Sequence, residues 1–152
     1  MPFTLTEALT LAIASVGAVL GIINTWHQRN QRKVKLWVVP KHAIPVGALE
    51  GFNITMCIEV INLSTFPVTV SDVGVLYRGT DVRGAVVQPI FIDGGSFPRR
   101  LEPRAAFTAY MAGESIGGRD NHRVKCAYAR TDCGVTATGT SPALRQIAGS
   151  HG

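Results

Sequence analysis

The chain has 152 residues, a formal charge of +5, 46% hydrophobic residues and 7% aromatics. Once about 35 N-terminal residues are set aside, roughly 115 remain, which is enough for one core and too few for two globular domains. The basicity is local: Arg29, Arg32, Lys33 and Lys35 carry most of it and leave the stretch from Leu36 onward at about +2, so anionic lipid headgroups are a better expectation for that run than nucleic acid.

No Asp, Glu, Lys or Arg stands between Glu7 and Arg29. Charged side chains are costly at a bilayer centre and a helix satisfies its own backbone, so a charge-free helical stretch of about 20 residues can span the hydrocarbon. Thr4 and Glu7 have the spacing of a capping box, which predicts a helix starting near Leu5. Leu9, Ile13, Val16, Leu20 and Ile23 repeat at steps of four and three and form a bulky face. Thr10, Ala14, Gly17, Gly21 and Asn24 form a neighbouring small one. Ala14, Gly17 and Gly21, with the GxxxG pair at their centre, are the candidate helix contact for a homo-oligomer in the bilayer. Trp26 falls where an interfacial aromatic is expected.

Other uses of this segment fit less well. A cleaved signal peptide wants a basic start and a small-x-small cleavage site, which Met1 to Glu7 and Ile22 to His27 do not supply. A soluble coiled coil wants charges beside its seam, where Ala, Thr, Ser, Gly and Val stand instead. Burial of the helix against protein in a large assembly such as a virion is the alternative location. Four basic residues after the span and only Glu7 and the α-amine before it predict an outside N-terminus and a cytoplasmic body.

From Val34 the period becomes alternating, and Gly, Pro and Asn clusters punctuate runs rich in Val, Ile, Thr, Phe and Tyr. Predicted strands are Val34 to Val39, Phe52 to Asn62, Val68 to Tyr77, Ala85 to Ile92, Ala105 to Met111, Arg123 to Arg130 and Val135 to Thr140. Trp37 belongs to the first, as a core or edge aromatic. In the second, Ile54, Met56, Ile58 and Val60 share the face expected in the core. Turns are expected at Asn62 to Pro67, at Asp93 to Ser96 and at Asp132 to Gly134. About seven short strands predict a mainly β fold, an immunoglobulin-like or fibronectin-like β-sandwich. The organisation is therefore a transmembrane helix and basic stem over 1–33, a β-sandwich over 34–142 and a flexible tail over 143–152.

Ile61-Asn62-Leu63-Ser64 with Phe66-Pro67-Val68-Thr69-Val70, then Pro98-Arg99-Arg100-Leu101-Glu102-Pro103, then Thr131-Asp132-Cys133-Gly134, resemble a loose group of small bacterial and prophage proteins with one apolar helix and a β-domain. The resemblance implies that architecture and attaches no activity to these residues.

Signatures of chemistry are sparse. Cys57, Cys126 and Cys133 make an odd count that favours a reducing compartment, with a Cys126–Cys133 bridge across a hairpin as the alternative. His27, His42, His122 and His151 lack ligand spacing, so no metal is expected. Convergence of His122, Cys126, Asp132 and Cys133 is less expected than a buried thiol, a turn and a loop. Asp93-Gly94-Gly95 lacks the lysine of a phosphate loop and the repeated acids of a calcium loop. Asp72, Asp81, Glu59 and Glu114 show no paired spacing. Arg99 and Arg100 with Arg104, and Arg119 with Arg123 and Lys125, read as solvated loops. The expectation is a membrane-anchored, non-catalytic module without a cofactor that meets a protein partner through strand edges or loops. The alternative is a structural component of a phage or other assembly.

Overall fold

A computed structural model of the chain describes residues 4–44, 54–86, 88–112 and 124–149. The chain divides into two compact units, residues 1–33 and 34–152. The first is the helix α1 (Leu5–Gln31). The second is mainly β, with two antiparallel sheets.

One sheet has the order β1-β2-β6, from β1 (Leu36–His42), β2 (Ile54–Asn62) and β6 (Ala106–Ala112). The other has the order β4-β3-β7-β8, from β3 (Val68–Tyr77), β4 (Arg83–Ala85), β7 (Val124–Thr131) and β8 (Thr136–Gly139). The short β5 (Arg99–Leu101) pairs with the first residues of β3. Alternation decides which residues turn inward. Met56, Ile58 and Val60 of β2 are fully buried and join Val38, Ala109 and Met111 in a core shared with Val70, Val73, Val75, Ala127 and Ala129 of the other sheet. In β3 the buried valines step from 70 to 73 rather than 72, and the ladder with β7 shifts register between Val70 and Asp72. The extra residue of this bulge keeps both halves of β3 facing the core.

The two sheets also meet along one flank. Gly139 of β8 lies so close to the Val38 carbonyl of β1 that an added Cβ would stand 2.7 Å from the Val38 carbonyl carbon. Only a residue without a side chain allows that approach.

Three sequence expectations are corrected. The run from Ala85 to Ile92 is not one strand: β4 ends at Ala85 and, among the described residues beyond it, only an isolated bridge joins Ile90 to Tyr110. Pro89 removes a ladder donor in the middle of that run. Arg99 and Arg100 lie in β5 rather than in a solvated loop. In place of a flexible tail the chain forms α2 (Pro142–Gly149), whose Leu144 is 2% exposed and part of the core. Trp37 stands on β1, at the edge of its sheet, and is 57% exposed on the face opposite buried Val38, which is the edge alternative of its expectation. Residues 52, 53 and 123, at the ends of predicted strands, lie outside the described residues.

Candidate functional site

The capping box at the start of α1 is formed as its spacing predicts. The Thr4 amide donates to Glu7 Oε2 at 2.9 Å, and the Glu7 amide donates to Thr4 Oγ1 at 3.4 Å. At 27 residues α1 is about 40 Å long, longer than the roughly 30 Å hydrocarbon core of a bilayer. It is long and apolar enough to cross a membrane, and none of its residues is buried. Leu9, Ile13, Val16, Leu20, Ile22 and Trp26 are all exposed, an apolar surface that water does not tolerate uncovered. Three hydroxyls on the helix are satisfied from within: Thr10, Ser15 and Thr25 each donate at 2.8 Å to the carbonyl four residues back. This removes the cost that free hydroxyl donors would carry in lipid. Gly17 and Gly21 have open space where a side chain would stand, and Ala14 shares their face by its spacing. Arg29 lies in the last helical turn, Arg32 caps the helix, and both are exposed, as are Lys33 and Lys35.

Within the β-unit, two of the three segments that carry the sequence resemblance converge on one side chain. Asn62 is fully buried at the end of β2. Its amide nitrogen donates to the carbonyls of Phe66, Leu101 and Glu102 at 2.9, 3.1 and 3.3 Å, and its amide oxygen accepts the Ser64 amide at 2.9 Å. Three carbonyls around one end admit only the NH₂ group, so the orientation of the amide is fixed. Ser64 in turn accepts the Lys35 amide at 2.8 Å. These motifs therefore build a structural knot where the β2–β3 turn meets the chain after β5.

Other residues singled out by chemistry have structural partners. Asp93 is held by Arg99, whose Nη1 donates to Oδ1 at 2.9 Å while Nη2 donates to Oδ2. That guanidinium lowers the Asp93 pKa to about 2. Arg99 also lies over Phe91 and Phe107, at 5.3 and 5.5 Å from the ring centroids, so the Asp93-Gly94-Gly95 loop is tied to the core by its own arginine. Arg100 pairs with Glu102 at 2.9 Å and Lys41 with Glu59 at 2.8 Å. Asp72 accepts the Tyr128 hydroxyl at 2.8 Å, and burial followed by that hydrogen bond pushes the phenol upward.

All three cysteines are free. Cys126 lies near one end of β7 and Cys133 in the turn beyond its other end. Five strand residues separate them by about 16 Å, far more than the roughly 4–7 Å between Cα atoms that a disulfide spans, so the bridged alternative is excluded. The turn itself matches its sequence signature, with Gly134 at φ 84° and its amide donating to Thr131 at 2.9 Å. Cys133 is exposed, and its hydrogen bond with Thr131, first among the causes, lowers its pKa. His42 Nε2 lies 3.2 Å from Gln146 Oε1, and His27 stacks edge-on to Trp26. No group of three metal-ligating side chains occurs among the described residues. His122, His151, Glu114, Arg119 and Arg123 lie outside them.

One cleft has no counterpart in the sequence pattern. Its volume is about 640 Å³, and Arg78 after β3, Lys125 at the start of β7 and Arg145 of α2 line it together with Thr138 and Thr140. No local signal marks this grouping, because the three cations are distant in the chain and Arg145 falls in a stretch that reads as a tail. Proximity along the chain groups Lys125 with Arg119 and Arg123 instead.

No protein-family model matches the chain, and no curated protein matches its sequence. The class is therefore set by architecture: a two-sheet β-unit preceded by one helix long and apolar enough to cross a membrane.

Proposed function

We propose that this chain is a membrane-anchored, non-catalytic interaction module. In this reading α1 spans the bilayer, Arg29, Arg32, Lys33 and Lys35 sit against anionic headgroups, and the β-unit meets a protein partner on a rigid immunoglobulin-like frame. The observation that carries the reading is α1 itself, which exposes bulky apolar side chains along its length beside one small face, while Thr10, Ser15 and Thr25 bond their hydroxyls within the helix. The full chain should sediment with membranes and resist carbonate extraction, whereas a version starting at Lys33 should be released. Detergent-independent solubility of the full chain would sink the anchor and favour a helix packed in an assembly. The small face at Ala14, Gly17 and Gly21 is where a second copy would pack in this reading.

In this reading the β-unit faces the cytoplasm with the N-terminus outside, which the positive flank supports, and three unpaired thiols agree with a reducing compartment. Cys133 provides the probe, being exposed with a lowered pKa. An impermeant maleimide should label it only after cells are lysed. Labelling of intact cells that disappears in Cys133→Ser would put the β-unit outside.

A further inference from the structure

The basic cleft is the place in the β-unit where charge is both concentrated and unspent. Lys41, Arg99 and Arg100 each have a carboxylate within ion-pair distance. Arg78, Lys125 and Arg145 form no ion pair with any described residue, and no carboxylate is among the described residues that line their cleft. Three elements deliver them: the end of β3, the start of β7 and the helix α2. That convergence puts a formal charge of about +3 around one cavity, as much as the whole excess of the unit it belongs to. A cleft lined by one sign of charge over low-dielectric walls focuses its field and raises the local concentration of the opposite sign. The walls here are suitable, since Val124 and Leu144 on the lining are each 2% exposed and belong to the core. Thr138 and Thr140 add hydroxyls that donate to carboxylate oxygens.

We propose that this cleft binds an acidic peptide segment, a short run of Asp or Glu on the protein partner. The proposal rests on the reading of the β-unit as an interaction module and names the chemistry of its partner. All three cations are exposed, so each alone contributes little to holding a small ion in physiological salt. A segment that places several carboxylates along the cleft engages the three together, with the threonine hydroxyls between them and its backbone over the apolar wall. The volume lies in the range of about 300–1,000 Å³ found for ligand clefts. A bidentate carboxylate suits Arg78 and Arg145 in particular.

The test uses the full chain in neutral detergent micelles and a fluorescently labelled hexaglutamate peptide, read by anisotropy. Two variants separate the cleft from the basic stem: Arg78→Ala/Lys125→Ala/Arg145→Ala, and Arg29→Gln/Arg32→Gln/Lys33→Gln/Lys35→Gln. The cleft variant should bind about 10-fold more weakly or worse, with the stem variant close to the parent and binding weakening as salt rises. Far-UV circular dichroism should be unchanged in the cleft variant, because all three side chains are exposed. Equal binding by parent and cleft variant overturns the proposal, as does loss of binding in the stem variant alone. Binding of pyrophosphate without hexaglutamate also overturns it and assigns the cleft to a free anion. None of these outcomes depends on whether α1 spans a bilayer, so failure here is distinct from failure of the anchor, which fractionation reads.

Discussion

Asn62→Asp is expected to destabilise the β-unit by about 3 kcal/mol or more and to lower its melting temperature by about 10 °C or more. The native amide donates to three carbonyls, from Phe66, Leu101 and Glu102. A carboxylate of the same shape has no proton to offer and places negative charge against all three in a fully buried site. Asn62→Ala should cost less than Asp, since it strands the carbonyls and the Ser64 amide without adding a charge. The pH dependence identifies the cause. Facing carbonyls, the introduced carboxyl has its folded-state pKa raised, so the protonated form favours folding and the deficit should shrink as pH falls toward about 4. Thermal melts at pH 7 and pH 4 measure this. A deficit that is the same at both, or one smaller than that of Asn62→Ala at pH 7, would remove the carbonyl cluster as the explanation.

Gly139→Ala should cost about 2–3 kcal/mol or more, because the added methyl meets main chain rather than a movable side chain. The Cβ would stand 2.7 Å from the Val38 carbonyl carbon and inside the contact radius of its oxygen. Relief requires β8 to draw away from β1, and that opens the flank along which the two sheets meet. The comparison is Gly17→Ala, where nothing lies within 4 Å of the added atom; its effect on the melting of the β-unit should be negligible. Urea titration of both variants in detergent reads the difference. A Gly139→Ala midpoint equal to the parent's would show that the two strands do not pack as closely as described.

Where sequence succeeds on this chain, neighbours within a few positions supply the signal. Thr4 and Glu7 are three residues apart and form the cap that their spacing predicts. The absence of charge from Ala8 to Gln28 is sufficient to mark α1 as apolar all round. Val68 to Tyr77 is a strand with the predicted bounds, and Asp132 to Gly134 is a turn because Gly134 accommodates a positive φ. Other features depend on contacts between distant residues. Local composition makes Arg99 a loop cation, yet pairing of β5 with β3 and stacking over Phe91 and Phe107 place it on the core.

Ser141-Pro142 is a local helix start, with Ser141 Oγ accepting the Leu144 amide at 3.2 Å, but that Leu144 belongs to the core depends on packing with residues as distant as Val38. Asn62 reads as a turn residue, and its bond to Leu101, 39 residues away, makes it a buried knot instead. Arg78, Lys125 and Arg145 share a cleft only once β3, β7 and α2 are assembled. Periodicity, capping and turn chemistry act over one to four residues, so the apolar helix, its cap, its basic end and the alternating character of the chain beyond Val34 are legible locally. How the sheets close, which polar groups are buried and which charges gather depend on chain segments that meet only when the core forms, and no local pattern encodes them.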